Sequence, residues 1–394
     1  MFKKLQKLDY WIAVPYAILS MLGVVMVFSA TQGTTTALSN FIKQAIFAVV
    51  GLFGAFSLYH FNLKILQRRK FLNQMLMVII AALIVAKFFM PAVNGAHGWI
   101  NLGIVTLQPA EFLKLALILY FAAFFAREPW ERHVPLREQA VARLDVWGLP
   151  AFSLLLVFIM PDNGNGLIIL LILLAIFLAS GVSRKVIALV AAFGGLLFGF
   201  LQTIVRLADH YFNLSGGQHY ALARFTSFAN PWDPSAADAS RQLLYGYYAI
   251  AHGGVFGVGL GNSLIKPYLP ESNTDFIMAV MTEELGAVTT AIVLILMLIL
   301  VARMVILGIR QRSQYYRLLL FGIATLLFIQ MLVNLGGVIG VLPITGVVFP
   351  FISGGGSSYI VFSAAIGLTL NIAATQQRSV SIHPADTLAR KDYK

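Results

Sequence analysis

Ten apolar stretches, at approximately 11–30, 41–60, 72–90, 107–126, 147–161, 166–181, 186–206, 276–302, 317–341 and 357–375, dominate this chain of 394 residues. About 20 consecutive apolar residues cross a hydrocarbon core of about 30 Å as a helix. Backbone in lipid must satisfy its own hydrogen bonds, which leaves helices as the way for such segments to span. The expected fold class is an all-α polytopic membrane protein of about ten transmembrane helices. Composition agrees, because 59% hydrophobic and 11% charged residues leave too little polar surface for a soluble protein of this size.

A net charge of +12 admits a nucleic-acid partner until the charges are placed. Of the 28 Lys and Arg residues, 21 fall in the termini and in alternate connections. These are Lys3, Lys4 and Lys7; Lys64, Arg68, Arg69 and Lys70; Arg127, Arg132, Arg137 and Arg143; Arg184 and Lys185; Arg303, Arg310, Arg312 and Arg317; and Arg378, Arg390, Lys391 and Lys394. Such alternation is the positive-inside pattern of an even number of spans with both termini in the cytoplasm. The basic residues orient the chain in membrane lipids, and a nucleic-acid surface is not expected. The first span reads as a start-transfer helix, since no small-residue cleavage site follows a short apolar core. Zero cysteines exclude disulfides and thiolate metal sites.

Connections are short except for 207–275, an extracytoplasmic stretch within a single transmembrane domain (1–380) that precedes a cytoplasmic tail (381–394). Loops longer than about 15 residues are usually functional or disordered. This one carries Tyr211, Phe212, Tyr220, Phe225, Phe228, Trp232, Tyr245, Tyr247 and Tyr248, and is expected to fold back onto the membrane. Its segment 240–252 has helical length and an apolar face, as an interfacial or re-entrant helix would.

Ionisable groups at membrane depth cost about 2.5–3.5 kcal/mol each on the insertion scale, so they mark candidate sites. Gln108, Glu111 and Lys114 lie three apart on one face of the fourth span. They form either a structural ion pair or part of a site. A pair buried for stability alone gains little over apolar packing. The eighth span opens on Asn273-Thr274-Asp275, with Glu283 and Glu284 about two turns deeper. Asp275 is either a helix N-cap or a carboxylate beside other acids, suited to accept a proton near neutral pH. The outer-side cations Arg206, Arg224, Arg241 and Lys266 are either solvated loop charges or an anion site, since Arg makes bidentate contacts to phosphate. The runs from Gly253 to Gly261 and from Ser353 to Ser358 are either turns and close helix contacts or backbone cradles for a phosphate. No P-loop, H-E-x-x-H or G-x-S-x-G motif occurs. Lipid-linked transfer and secondary transport therefore remain.

Seven segments together resemble one family over essentially the whole chain. They are Gly95-Ala96-His97-Gly98-Trp99-Ile100; Gln108-Pro109-Ala110-Glu111-Phe112-Leu113-Lys114; Asn230-Pro231-Trp232; His252-Gly253-Gly254 leading to Gly257, Gly259, Gly261 and Asn262; Leu269-Pro270-Glu271-Ser272-Asn273-Thr274-Asp275-Phe276-Ile277; Glu283-Glu284-Leu285-Gly286; and Pro350-Phe351-Ile352-Ser353-Gly354-Gly355-Gly356-Ser357-Ser358. The chain resembles the SEDS peptidoglycan glycosyltransferases, the RodA and FtsW proteins of bacteria. Gly354 stands where the family commonly has Tyr, and Leu342-Pro343-Ile344-Thr345-Gly346 lacks the Lys typical of FtsW, which makes RodA the nearer match.

The resemblance implies a ten-helix enzyme of the bacterial cytoplasmic membrane that polymerises lipid II during elongation. The family's essential Asp corresponds to Asp275, and a functionally important Trp to Trp99. On this reading Asp275 is the general base, with Glu111 and Lys114 tuning it. Trp99, Gln108, Arg206, Arg224, Arg241, Glu283, Ser357 and Ser358 are substrate-binding candidates. A divalent cation, Mg or Mn, held by carboxylates is a possible cofactor. A class B penicillin-binding protein and elongation-complex proteins are the implied partners. A lipid II flippase, using the same cavity without chemistry, is the alternative, and a structural scaffold is a third.

Overall fold

A computed structural model of the chain describes residues 8–92, 97–103, 105–128, 136–141, 144–212, 227–228, 230–232 and 237–382. Its helices are α1 (Tyr10–Thr31), α2 (Ala37–His60), α3 (Arg69–Phe89), α4 (Pro109–Arg127), α5 (Leu136–Val141), α6 (Leu144–Ile159), α7 (Asn163–Ala179), α8 (Arg184–Phe212), α9 (Ala237–Gly253), α10 (Ile277–Ile309), α11 (Gln314–Val338) and α12 (Gly356–Ile382). A two-stranded antiparallel ribbon, β1 (Ile100–Asn101) and β2 (Thr106–Leu107), lies between α3 and α4. Among the described residues, seven helices are long and apolar enough to span a membrane: α1 to α4, α10, α11 and α12 as far as Gln376. Shorter apolar helices at Val146–Ile159, Asn163–Ala179 and Lys185–Leu196 complete the ten segments expected from hydropathy.

The bundle is organised around α4, whose membrane window is 89% buried, against 17% for α2. Helix α4 packs on α3, α7 and α11, and α11 in turn on α10. The peripheral α2 adheres to α12 through small residues. A side chain on Gly51 would meet Ser363 Oγ at 2.6 Å, and one on Gly367 would meet the Ala55 backbone. Such residues let helix backbones approach where lipid offers no hydrophobic drive to association.

Helices α1 and α10 run side by side and are joined at both ends. At the end formed by the start of α1, Arg303 donates to Asp9 through Nε (2.9 Å) and Nη2 (2.7 Å). At the other end Ser29 donates to Glu284 Oε2, and Lys266 Nζ bridges Glu284 Oε1 (3.0 Å) and the Ser29 carbonyl (2.9 Å). At 1.5 Å per residue, Glu284 and Arg303 are about 28 Å apart along α10. That separation is close to the hydrocarbon thickness of about 30 Å.

Helix α10 is broken at Gly286, which has φ 82° and ψ 169°. A break at this depth strands backbone groups that must find partners inside the protein. The segment after α9 supplies them. Val258 N and Gly259 N donate to the Glu283 and Glu284 carbonyls (both 2.9 Å), while Ala287 N and Val288 N donate to the Gly254 (3.0 Å) and Val255 (3.2 Å) carbonyls. Gly257, at φ 79°, sits with its Cα hydrogens against the Glu284 carbonyl and Gly286 N. The glycine run is therefore a device for close backbone approach. Val255 and Phe256 turn outward beside Val288 and Ile292, extending the exposed apolar surface of α10.

Candidate functional site

Asp275, expected from the sequence to be the base, lies just before the start of α10 and is 8% exposed. It is not a helix cap, because the N-cap of α10 is Phe276 and no side chain caps it. The helix takes Phe276 O as its first acceptor, from Ala279 N (3.0 Å) and Val280 N (3.3 Å). The three carbonyls before it are held by donors from elsewhere. Gly354 N donates to Asn273 O (2.8 Å), Ser353 Oγ to Thr274 O (2.7 Å) and Asn334 Nδ2 to Asp275 O (2.7 Å). A second bond from Asn334 Nδ2 reaches Val347 O (2.7 Å). Asp275, Phe276, Asn334, Gly337, Thr345 and Gly346 line a small, shallow cleft.

Glu111 and Lys114 form a buried ion pair, with Lys114 Nζ 2.8 Å from Glu111 Oε1. Pro109 opens α4 and puts both residues in its first two turns, where Lys114 is fully enclosed. Lys114 Nζ also donates to Gln330 Oε1 (3.0 Å), and Gln330 Nε2 to Val348 O (3.2 Å). Gln330 and Asn334 stand one turn apart on α11 and grip adjacent residues of the 347–348 backbone. The pair on α4 thus reaches Asp275 through α11. Glu111 Oε2 and Asn334 Oδ1 are buried without a hydrogen-bond partner among the described residues.

The remaining candidates divide into groups. Gln108 N donates to Ser357 Oγ (2.9 Å) and Gln108 Nε2 to Asp162 Oδ2 (3.0 Å). This ties the β1–β2 ribbon, with the half-buried Trp99 just before it, to the starts of α12 and α7. Ser358 Oγ turns back to Gly355 O (2.9 Å). Glu283 is fully buried, and its oxygens accept from His252 Nδ1 (2.9 Å), Leu264 N (2.9 Å), Ile265 N (3.2 Å) and Ser263 Oγ. It holds the segment after α9 in place. Arg241 is exposed on α9. Arg206 lies in α8 with its side chain outside the described set, and Arg224 falls outside the described residues.

No group of three or more His, Asp or Glu suited to a metal ion occurs among the described residues. Protein donors fill both oxygens of Glu283, and Lys266 and Ser29 fill those of Glu284.

Sequence reasoning overlooked Gln330, Asn334, Asp162 and Ser353. The depth rule that singled out Glu111 and Lys114 finds Gln330 and Asn334 as well, once it is extended from charges to amides inside spans.

The protein family described as cell cycle protein, grouping FtsW, RodA and SpoVE, matches residues 10–378. The chain is 37% identical to the probable peptidoglycan glycosyltransferase FtsW of Lactococcus lactis, over 94% of this chain and 93% of that protein. It is 35% identical to the probable peptidoglycan glycosyltransferase FtsW of Bacillus subtilis over 100% and 97% of the two chains. Stage V sporulation protein E of the same organism is 31% identical, over 84% and 86%. Among solved structures, a chain of a peptidoglycan synthase complex, described as coordinating polymerization and crosslinking, superposes with a TM-score of 0.72 at 26% identity, covering 94% of this chain and 98% of that one. The rod shape determining protein RodA of Thermus thermophilus gives a TM-score of 0.65 at 25% identity, covering 94% and 97%.

Proposed function

Because the chain belongs to the family of FtsW, RodA and SpoVE, we propose that it is a peptidoglycan glycosyltransferase. Its substrate is lipid II, polymerised at the outer face of the cytoplasmic membrane with both termini inside. The supporting observation is the largely buried Asp275 immediately before α10, its backbone carbonyl fixed by Asn334 beside a cleft.

In the reaction, the Asp275 carboxylate takes the proton of the acceptor GlcNAc 4-hydroxyl as that oxygen attacks the anomeric carbon of the donor strand. The bond from that carbon to the pyrophosphate oxygen breaks with inversion, and undecaprenyl pyrophosphate departs. General-base catalysis of this kind contributes about 10²–10⁴-fold. Arg206, Arg224 and Arg241, on or near the long connection, are cations of the kind that would offset the charge of the departing pyrophosphate. Lys114, enclosed by Glu111 and Gln330, acts on the site through α11. A class B penicillin-binding protein is the partner that would crosslink the product, in keeping with the synthase complex on which the chain superposes.

Leu342-Pro343-Ile344-Thr345-Gly346 favours the elongation role with its elongation-complex partners. The FtsW names of relatives at 33–37% identity favour division. Side-wall or septal localisation of a fluorescent fusion separates the two. Purified protein, reconstituted with its penicillin-binding partner and given lipid II in detergent, is expected to yield glycan chains. Movement of lipid II across proteoliposomes without glycan product would replace the polymerase by a flippase.

A further inference from the structure

We propose that Asn334 is a positioning residue for glycosyl transfer, setting the Asp275 carboxylate through its main chain; this rests on Asp275 being the base. Asp275 lies in the turn before α10, where the helix supplies no bond to its carbonyl. That carbonyl is fixed by Asn334 Nδ2, which spends its two N–H groups on Asp275 O and Val347 O, each at 2.7 Å. A primary amide brings two donors on one nitrogen, so a single side chain can tie these two segments together. Ser353 Oγ and Gly354 N hold the preceding two carbonyls, so the approach to Asp275 has no slack on its N-terminal side.

The anchor is itself built into the bundle. Asn334 is 3% exposed and stands one turn from Gln330, which holds the Lys114–Glu111 pair. Catalytic groups lose rate steeply when misplaced, and a displacement of about 1 Å far from the chemistry can cost about 100-fold. Releasing the Asp275 carbonyl moves the carboxylate without removing any group that touches substrate. Turnover therefore falls while substrate binding stays.

The test is the steady-state kinetics of lipid II polymerisation by Asn334→Ala, Ser353→Ala and Asp275→Asn, and by Asn334→Ala combined with Asp275→Asn, with thermal unfolding followed for each. Asn334→Ala is expected to lower kcat at least 10-fold with KM within two-fold of wild type. Ser353→Ala, which frees the Thr274 carbonyl and the Phe349 N–H but leaves the bond to the Asp275 carbonyl in place, lowers kcat less, and it carries the test if Asn334→Ala fails to fold. In the Asp275→Asn background the residual turnover should drop by less than two-fold on adding Asn334→Ala, because the group being positioned is gone. Wild-type kcat in both single variants, a loss expressed in KM, or full additivity in the double variant overturns the proposal. Normal turnover by Asp275→Asn overturns the base assignment, and this inference with it. Loss in Asp275→Asn alone, with Asn334→Ala and Ser353→Ala normal, overturns only the inference.

Discussion

Lys114→Met is expected to destabilise the protein by about 3–5 kcal/mol, the usual cost of breaking a buried ion pair and leaving one charge uncompensated. Lys114 is fully enclosed, Glu111 is 3% exposed, and Glu111 Oε2 already lacks a partner among the described residues. Adding Glu111→Gln removes the stranded charge, so the double variant should recover most of the lost stability, read as thermal unfolding in detergent. Polymerisation should not recover with it and should stay at least about 10-fold down, because Gln330 has lost the ammonium donor that fixes it beside Val348. If activity returns in step with stability, the pair is structural only.

Gly257→Ala should be nearly as damaging, at about 2–5 kcal/mol. About 1–2 kcal/mol of this is the left-handed backbone imposed on an L-residue, and about 1–3 is overpacking. The new methyl would meet the Glu284 carbonyl and Gly286 N, both backbone atoms that cannot swing aside. The four hydrogen bonds between 254–259 and 283–288 share that contact. Their loss would unseat the segment that carries Lys266 to Glu284. Gly254→Ala is the control, because its own φ is 54° but nothing stands within 4 Å of the added carbon. Equal unfolding temperatures for Gly257→Ala and Gly254→Ala would show that backbone conformation matters there and close approach does not.

Hydropathy alone located the spans, because lipid leaves a helix as the form available to a long apolar segment, and the stretch expected at 276–302 is helical over Ile277–Ile309. Its interruption at Gly286 was not legible, since a break within a hydrophobic run leaves the mean unchanged. Only the glycines on both sides of the contact hint at it. Glu283 was grouped with Asp275 as an acidic cluster on proximity in sequence. Eight residues of ideal helix turn about 80° past a full number of turns, so the two would not share a face even in regular helix. Glu283 instead faces the 263–265 backbone and His252. Glu111 and Lys114 were legible because three residues along a helix place side chains on one face. Their route to Asp275 was not, because Gln330 and Asn334 come from a span distant in sequence and from a rule applied only to charges. The fourth-span motif and the serine-rich turn meet in the fold through Gln108 and Ser357, a contact no local pattern announces.

Polymerisation of purified lipid II by wild type and Asp275→Asn, matched for folded protein and penicillin-binding partner, tests the central claim most directly. Turnover by Asp275→Asn should fall about 100-fold or more, the range general-base catalysis contributes, while the bond from Asn334 to the residue 275 carbonyl is kept. Glycan synthesis at the wild-type rate by Asp275→Asn would contradict it.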